Sequence, residues 1–418
     1  MSGESFFSRI LSAIGLKSSY KPKYKTVVEL SELKVLIPAS YKGKAGFINE
    51  SSEWIIEPIF DYCRDFADNG LAPVQKKKKW GYIDKSGSFV IEPQYDNAFE
   101  FHKNGLAMVT KNRMSGLIDA TGNYVVKPAY DCIWEFEQDR FTQIELDGKI
   151  GLINSSGDII VEPFYEDIGD VAKNGLATVE IDDKYGFIDS TGKVVIEPTF
   201  EWAYDFEDRD LTGVKINDKW GFIDATGKYV IEPIYDDASK FMSNGLVAVA
   251  VGVNGKVGCI DQTGKMVIEP QFNYVGDCSP NGLISVNFEN NKYGCIDSTG
   301  KVVIEPQFDY FAGFNKEGFG VAKLDNKYGI IDSTGKFVLE PKYSKIIDTE
   351  SGLFTCESNN NLCGCADSSG KLIIEPKFND IFIDYDLIIV KSGDKWGIVD
   401  RNGNFVVEPR FDWIGWYK

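Results

Sequence analysis

Carboxylates recur along this 418-residue chain at two fixed positions where they could do chemistry. The first set is the Asp that opens an Asp-x-x-Gly sequence, present as Asp84, Asp119, Asp189, Asp224, Asp261, Asp297, Asp332, Asp367 and Asp400. Such a series could bind calcium, but calcium takes roughly six to eight oxygen ligands and each turn offers one carboxylate with Ser, Thr and Gly. We therefore predict that each Asp forms a turn through its side chain, and that the Gly supplies a positive φ.

The second set is a Glu directly before a Pro, present in ten of eleven equivalent places, with Lys127 as the exception. Two carboxylates at a suitable distance are the machinery of glycosidases. Because this Glu recurs in nearly every unit, we predict instead a charge at a strand edge, where it discourages pairing between sheets.

The other side chains that commonly catalyse reactions are scarce. His102 is the only histidine, which excludes a histidine-based triad or a site with several histidine ligands within this chain. Cys363 and Cys365 are separated by one residue, whereas redox and zinc pairs are separated by two. No glycine-rich, phosphate-binding loop leads a helix. We predict a protein without enzymatic activity, cofactor or metal.

A repeat positions all of these residues. Eleven times a Gly is followed after twelve residues by a Pro, from Gly46 and Pro58 to Gly397 and Pro409, and successive glycines lie 33 to 37 residues apart. A fixed period in this range indicates a repeat architecture. Residues that recur in every unit are expected to be structural, so function is to be sought in what differs between units.

Residues 211–245 show the unit clearly. Residues 211–216, 220–223 and 229–232 are predicted strands, and residues 224–227 form the turn between the second and the third. We expect the Pro to end the third strand because it cannot donate a ladder hydrogen bond. An aromatic residue follows two positions later, and we predict that it anchors the connection to the sheet.

We predict an all-β array of about eleven three-stranded units over residues 24–418, folded as an open, twisted β-solenoid or superhelix. The alternative is a closed, propeller-like ring. Three strands in about 35 residues are short for a four-stranded blade, and eleven units exceed the roughly four to eight of most propellers, so the open form is preferred.

Residues 1–23 form a separate segment, in which Phe6, Phe7 and Ile10 follow helical spacing with Leu11 and Ile14. We predict an amphipathic helix that caps the open end of the array, as solenoids require. The alternative is a helix that docks on a partner or a membrane surface.

The second strand carries KWGYID at residues 79–84 and KWGFID at residues 219–224, and continues as Gly-Lys-x-Val-Ile-Glu-Pro-x-Tyr-Asp. This signature resembles the bacterial WG repeat, also called the KWG repeat, over about 390 residues. Its aromatic residue is kept at Trp80, Tyr185, Trp220, Tyr293, Tyr328 and Trp396, and is replaced at Ala45, Ser115, Ile150, Val257 and Cys363. The resemblance implies a β-repeat with a binding or scaffolding role, and it implies no reaction.

Charge and cysteine placement bear on the partners and the compartment. The net charge of −18 repels phosphate backbones, so we predict no nucleic-acid partner. No stretch approaches the roughly 18–20 apolar residues of a membrane span, and the N-terminus is a poor secretory signal. Seven of eight cysteines stand where other repeats have apolar residues, Cys132 being the exception, which is typical of core thiols in a reducing compartment. We predict a cytoplasmic protein; the alternative is export without a conventional signal peptide.

The position two residues past the aromatic anchor varies between units, and we name it the slot. It holds Tyr62, Asn97, Cys132, Asp167, Trp202, Asp237, Tyr274, Tyr310, Lys345, Asp380 and Trp413. So variable a position is not expected in a core, and exposed Tyr and Trp are residue types that anchor interfaces. We predict that the slot aromatics Tyr62, Trp202, Tyr274, Tyr310 and Trp413 contact a partner; the alternative is that they pack against the adjacent repeat.

The predicted function is a non-enzymatic scaffold that presents an acidic surface and the slot aromatics to a protein partner. One alternative is a carbohydrate-binding array, in which Tyr and Trp faces stack on sugars. Another is the recognition or inhibitor component of a toxin or secretion system.

Overall fold

Each repeat forms an antiparallel sheet of four strands, one more than the sequence predicts. The computed structural model describes residues 36–49, 52–134, 136, 141–207, 209–252, 255–349, 352–384 and 387–414. All regular elements in these ranges are β-strands. The predicted N-terminal helix of residues 1–23, with Phe6, Phe7 and Ile10, lies outside the described residues.

We number the sheets as blades 1 to 11 along the chain. Blade 1 contains β1 (Ile37–Tyr41), β2 (Lys44–Ile48) and β3 (Trp54–Phe60). Blade 2 contains β4 (Tyr62–Cys63), β5 (Ala72–Lys76), β6 (Lys79–Ile83) and β7 (Phe89–Tyr95). Blade 3 contains β8 (Asn97–Ala98), β9 (Ala107–Lys111), β10 (Met114–Ile118) and β11 (Tyr124–Tyr130). Blade 4 contains β12 (Cys132–Ile133), β13 (Phe141–Leu146), β14 (Lys149–Asn154) and β15 (Ile159–Tyr165).

Blade 5 contains β16 (Asp167–Ile168), β17 (Leu176–Ile181), β18 (Lys184–Asp189) and β19 (Val194–Phe200). Blade 6 contains β20 (Trp202–Ala203), β21 (Leu211–Ile216), β22 (Lys219–Asp224) and β23 (Tyr229–Tyr235). Blade 7 contains β24 (Asp237–Phe241), β25 (Val247–Val251), β26 (Lys256–Ile260) and β27 (Met266–Phe272). Blade 8 contains β28 (Tyr274–Cys278), β29 (Ile284–Asn287), β30 (Tyr293–Ile296) and β31 (Val302–Phe308). Blade 9 contains β32 (Tyr310–Phe311), β33 (Phe319–Leu324), β34 (Lys327–Asp332) and β35 (Phe337–Tyr343). Blades 10 and 11 contain β36 (Lys345–Asp348), β37 (Leu353–Glu357), β38 (Cys363–Asp367) and β39 (Leu372–Phe378); β40 (Asp380–Asp384), β41 (Leu387–Ser392), β42 (Lys395–Val399) and β43 (Phe405–Phe411). The last strand is β44 (Trp413–Ile414).

The additional strand begins at the slot; it is the first strand of blades 2 to 11, and in blade 1 it is β44. In blade 6 it is β20, where Trp202 pairs with Lys215 and Ala203 pairs with Val214. Many of these strands are only two residues long, which is too short to show the alternation that identifies a strand in a sequence. The three-stranded unit of the sequence analysis is therefore incomplete.

The prediction of an open solenoid is wrong, because the two ends of the array belong to one sheet. β44 pairs antiparallel with β1, joining Ser40 to Trp413 and Ala39 to Ile414, and so gives blade 1 its fourth strand. The Asp412 backbone N–H donates to the Ser40 carbonyl at 2.9 Å. Four-stranded blades and a first sheet completed by the last strand are propeller features, so the chain is closed through its ends, as the alternative holds.

The chain divides into two compact units. One comprises residues 1–139, 155–157 and 347–418 and contains blades 1, 2, 3 and 11 entire. The other comprises residues 140–154 and 158–346 and contains blades 5 to 9 entire. Within each unit, apolar clusters are shared by successive blades. Phe60 of blade 1 packs with Val74 and Ile83 of blade 2, and Tyr235 of blade 6 packs with Val249 of blade 7.

The Gly and the Pro of the repeat are in close approach across the blade. The register between β22 and β23 shifts at a β-bulge beside Gly221. A Cβ on Gly221 would lie only 2.7 Å from the Ile231 carbonyl oxygen and 2.8 Å from the Pro233 nitrogen. The strand continues through Pro233 to Tyr235, so the prediction that Pro ends it is wrong. A Pro is tolerated there because β23 is the outermost strand and carries the bulge.

The recurrent acids of the first set have structural partners. The Asp224 carboxylate accepts hydrogen bonds from the Thr226 backbone at 2.9 Å, the Thr226 hydroxyl at 2.6 Å and the Lys228 backbone at 3.1 Å. These bonds, led by that of the hydroxyl, lower the pKa of Asp224. Gly227 completes the turn at a φ of 86°. The Glu before each Pro, such as Glu232, is exposed on the outermost strand.

The Lys of the KWG signature also has a structural partner, which the sequence analysis missed. Its ammonium pairs with the acid seventeen residues later, as in Lys44–Asp61, Lys79–Asp96, Lys149–Glu166, Lys219–Asp236, Lys292–Asp309 and Lys395–Asp412. The acid also receives backbone N–H groups of the turn before the signature of the following repeat, as Asp96 does from Asn112 at 2.7 Å. Because these pairs are largely exposed, each is expected to contribute little to stability.

The core thiols are expected to resist alkylation in the native protein. Cys259, Cys295 and Cys365 are buried in apolar clusters, and burial raises the pKa of each to about 12. Since the thiolate is the reactive species, these thiols should stay unmodified by maleimide at pH 8 and react on denaturation. Intact mass before and after guanidinium treatment counts the labels. Rapid native labelling of all three would contradict the burial.

Candidate binding site at Trp202

Four of the five slot aromatics are exposed on the edge strand of their blade. Tyr62 and Tyr274 expose 53% of their surface, and Trp202 and Tyr310 expose 44%. Trp413, in the edge strand β44 of blade 1, is half-buried. The structure thus places the slot aromatics where a partner could reach them, and binding by them stays a prediction.

The exposure of the slot follows from the register of the blade. Trp202 pairs with Lys215, Lys215 pairs with Trp220, and Trp220 pairs with Tyr235. Directly paired residues lie on one face of a sheet, so these four form a row across blade 6. Trp220 and Tyr235 are buried and expose only 7% and 5% of their surface, whereas Trp202 lies at the exposed end of the row.

Slot aromatics also pack against the adjacent repeat, as the alternative for the slot holds. The Trp202 ring lies 4.9 Å from the ring of Tyr185, the signature aromatic of the preceding blade. The Tyr310 ring lies 5.7 Å from that of Tyr293 in the same relation. One face of the slot aromatic therefore packs on the adjacent repeat while the side chain stays exposed.

Trp202 also lines a cavity of about 290 Å³. Its other walls include Gly169, Glu180, Tyr185, Tyr204, Asp205 and Lys240, from blades 5, 6 and 7. None of these six was singled out as a site residue by the sequence analysis. A signal in the sequence was available. The positions two and three residues after the slot, which Tyr204 and Asp205 occupy here, vary between units as the slot does.

Tyr204 is held in place from three sides. Its ring stacks on that of Trp220 at 4.9 Å with an interplanar angle of 17°. Its hydroxyl donates to the Ala238 carbonyl at 3.2 Å, and the Lys240 ammonium lies 5.8 Å from the ring centre. Tyr185 is fixed by a hydrogen bond between its hydroxyl and Glu180; burial, followed by this bond, raises the pKa of Tyr185 to about 12. The aromatic walls are thus pre-organised.

Asp205 contributes a carboxylate to the wall of the site. Its Oδ1 accepts a hydrogen bond from the buried Thr178 hydroxyl at 2.5 Å. The same oxygen would lie 2.2 Å from a Cβ on Gly169, so the absence of a side chain there leaves room for it. Burial raises the pKa of Asp205, against the opposing effect of the Thr178 bond.

Replacing Asp205 by Asn is expected to stabilise the protein at neutral pH. The pKa of Asp205 is higher in the folded state than in the unfolded state, where it is about 3.9. The free energy of unfolding therefore falls as the pH rises from the unfolded-state pKa through the folded-state pKa, and it stays lowered at higher pH. An Asn removes the cost and still accepts from Thr178. Nearby Lys240 partly offsets the cost, and Asp170 and Glu207 add to it. Thermal unfolding of Asp205→Asn should therefore rise relative to the parent at pH 7 and converge with it near pH 3.

The exposed Asp277, at the equivalent position two repeats later, gives the control variant Asp277→Asn. A lower melting temperature for Asp205→Asn at pH 7 would show that the carboxylate is required by the fold.

The charge of the site is negative. Asp167, Glu180 and Asp205 contribute three carboxylates to the lining, and Lys240 contributes the single ammonium. That ammonium is paired with Glu207 at 2.7 Å. Aromatic faces together with carboxylates favour a cationic group over an anion.

Among the described residues, no cluster of three or more metal-ligating side chains forms, and no helix has the length and hydropathy of a membrane span.

Structural likenesses to solved proteins are distant. A eukaryotic initiation factor is 12% identical, with a TM-score of 0.44 over 92% of this chain and 98% of the other. Two structures of the extracellular domain of BT4673 from B. thetaiotaomicron are 11% and 9% identical, each with a TM-score of 0.27, over 88% and 90% of this chain. This chain spans 63% and 64% of those two chains. No curated protein matches it.

The sequence profile of the WG containing repeat matches the chain in eleven tandem copies. They cover residues 46–80, 80–113, 116–149, 150–185, 185–220, 220–256, 258–293, 293–328, 328–361, 364–396 and 396–417. The resemblance drawn from KWGYID and KWGFID is thus confirmed, including the copies that lack the name-giving aromatic. The chain belongs to the WG containing repeat family.

Proposed function

We propose that this protein is a non-enzymatic scaffold that binds a protein partner through its slot aromatics. The observation that carries the proposal is the exposure of Tyr62, Trp202, Tyr274 and Tyr310 at one register position of four blades. Tyr and Trp supply large contact areas at low conformational cost, and they are enriched where interfaces concentrate their energy. Trp202, Tyr274 and Tyr310 lie in one compact unit and offer several such anchors to one extended partner.

The roles of the recurrent acids support a scaffold over an enzyme. Asp224 and its equivalents are engaged in turns, and Asp236 and its equivalents hold the signature Lys. These acids serve the fold in repeat after repeat, which leaves the irregular positions for recognition. The cysteine placement and the acidic charge lead us to propose a cytoplasmic location and a partner that is not nucleic acid.

The test compares two triple variants in proximity cross-linking with mass spectrometry in the native host. The first replaces Trp202, Tyr274 and Tyr310 by Ala. The second is a matched control that replaces Ile59, Phe164 and Ile234, which expose 55%, 57% and 59% of their surface on outermost strands. The yield of cross-links to a partner should fall at least tenfold in the slot variant. In the control variant these cross-links should persist.

Equal loss in both variants, or retention in the slot variant, would contradict the proposal. A carbohydrate-binding array is the competing outcome. If immobilised polysaccharide retains the parent protein and Trp202→Ala abolishes that retention, sugar recognition replaces protein recognition.

A further inference from the structure

We propose that the Trp202 cavity binds the guanidinium group of an arginine side chain supplied by the partner. The inference rests on the proposed function and names the chemistry of its central contact. It is carried by a second place in the chain, where the equivalent position is filled by an arginine of the protein itself.

That arginine is Arg64, which lies between two aromatic rings of blades 2 and 3. Its guanidinium carbon is 4.2 Å from the ring centre of Phe99 and 5.0 Å from that of Trp80. Its Nη2 donates to the Asn97 side-chain oxygen at 3.4 Å. A half-buried guanidinium held between two ring faces is a cation–π arrangement of the stronger kind.

The Trp202 cavity is the same place three repeats later, without the arginine. The repeat glycines Gly81 and Gly186 set an offset of 105 residues. Under this offset Trp80 corresponds to Tyr185 and Phe99 corresponds to Tyr204, so both positions keep an aromatic ring, with Trp220 stacked on one face of Tyr204. Arg64 corresponds to Gly169, which has no side chain.

The changes around the cavity add negative charge and aromatic surface. By the same offset, Gln75 is replaced by Glu180, and Asn97 is replaced by Trp202. The carboxylates of Glu180, Asp205 and Asp167 line this cavity, and its one ammonium, that of Lys240, is paired with Glu207. An Arg fits this site better than a Lys because its planar fork can stack on rings and donate to two carboxylates together.

The experiment uses the full chain and two small probes. Nα-acetylarginine amide carries the guanidinium, and Nα-acetylcitrulline amide is its neutral isostere. Saturation-transfer NMR titrations should show saturable binding of the arginine probe at roughly millimolar concentration, the range of a single side-chain contact. The citrulline probe should bind at least fivefold more weakly, and Asp205→Asn should weaken the arginine probe by about the same factor.

A self-filling variant tests the cavity without removing any wall. Gly169→Arg restores the residue found at position 64, and Asp205 is expected to move aside and pair with the new guanidinium. The variant should fold and lose the arginine probe, whereas Ile234→Arg, which adds the same charge on an exposed outermost strand, should keep it. Equal binding of both probes, or undiminished arginine binding in folded Gly169→Arg, would overturn the proposal.

The two proposals fail in different ways. If the arginine probe does not bind but cross-linking still depends on the slot aromatics, the guanidinium site is wrong and the scaffold stands. If the probe binds in the cavity but the slot variant keeps its protein cross-links, the partner-binding role of the slot aromatics is wrong.

Discussion

Replacing Gly81 by Ala is expected to lower the free energy of unfolding by about 3 kcal/mol, the upper range of overpacking substitutions. An added Cβ would lie 2.4 Å from the Ile91 carbonyl oxygen and 2.7 Å from the Pro93 nitrogen. Both atoms belong to the backbone of the bulged strand β7 and cannot rotate away. The blade must open at the bulge to accept the methyl group, and its burial of Tyr95 is lost in part.

Urea titration followed by tryptophan fluorescence measures the effect. Gly105→Ala is the control, because it has a φ of 84° and no atom within 4 Å of an added Cβ. It reports the strain of a positive φ alone, about 1 kcal/mol. If Gly81→Ala is no worse than Gly105→Ala, the close approach of Gly and Pro does not determine stability.

Joining Ser40 and Trp413 by a disulfide is expected to stabilise the protein by up to roughly 5 kcal/mol, because it closes a loop of nearly the whole chain. The two residues are an antiparallel pair of β1 and β44. Their Cα separation in such a pair, about 4.5 to 5.5 Å, suits a disulfide. The double variant Ser40→Cys with Trp413→Cys should oxidise within one chain.

Non-reducing electrophoresis and the urea midpoint with and without reductant report this bond. The control joins Trp413→Cys to Thr110→Cys, which occupies the equivalent strand position in blade 3 but pairs with Asn97. Only the first variant should show a fast-migrating, intramolecularly cross-linked monomer. Cross-links between chains in its place would mean that the array is open, as the sequence analysis predicted.

The sequence predicts what recurs with a fixed spacing. The hairpin between the second and third long strands, its turn at Asp224 and the buried anchor Tyr235 all follow from the Gly–Pro interval. The short strand β20 could not be predicted, because two residues show no periodicity. The closure through Trp413 could not be predicted either, because a single pair of edges far apart in the chain leaves no pattern in the repeat.

The candidate site divides in the same way. Trp202 could be predicted because it stands out at a variable position of a regular unit. Tyr204 and Asp205 acquire their meaning only from the register, which brings them beside Tyr185 and Gly169 of the preceding blade. The informative residue is a glycine where another repeat has an arginine, and an absent side chain has no physical signature until its neighbours are known.

The strand pairing of blade 1 also sets an order of events during synthesis. Gly43 and Asp412, whose hydrogen bond helps hold the blade together, are 369 residues apart. The earliest blade to leave the ribosome is thus the last to be completed, and the open edge of β1 waits through the translation of every other repeat. Ribosomes supply roughly 5–20 residues per second, so this edge stays unpaired for tens of seconds. Pro38 lies in β1, and a residue without a backbone N–H discourages that open edge from pairing with a neighbouring chain.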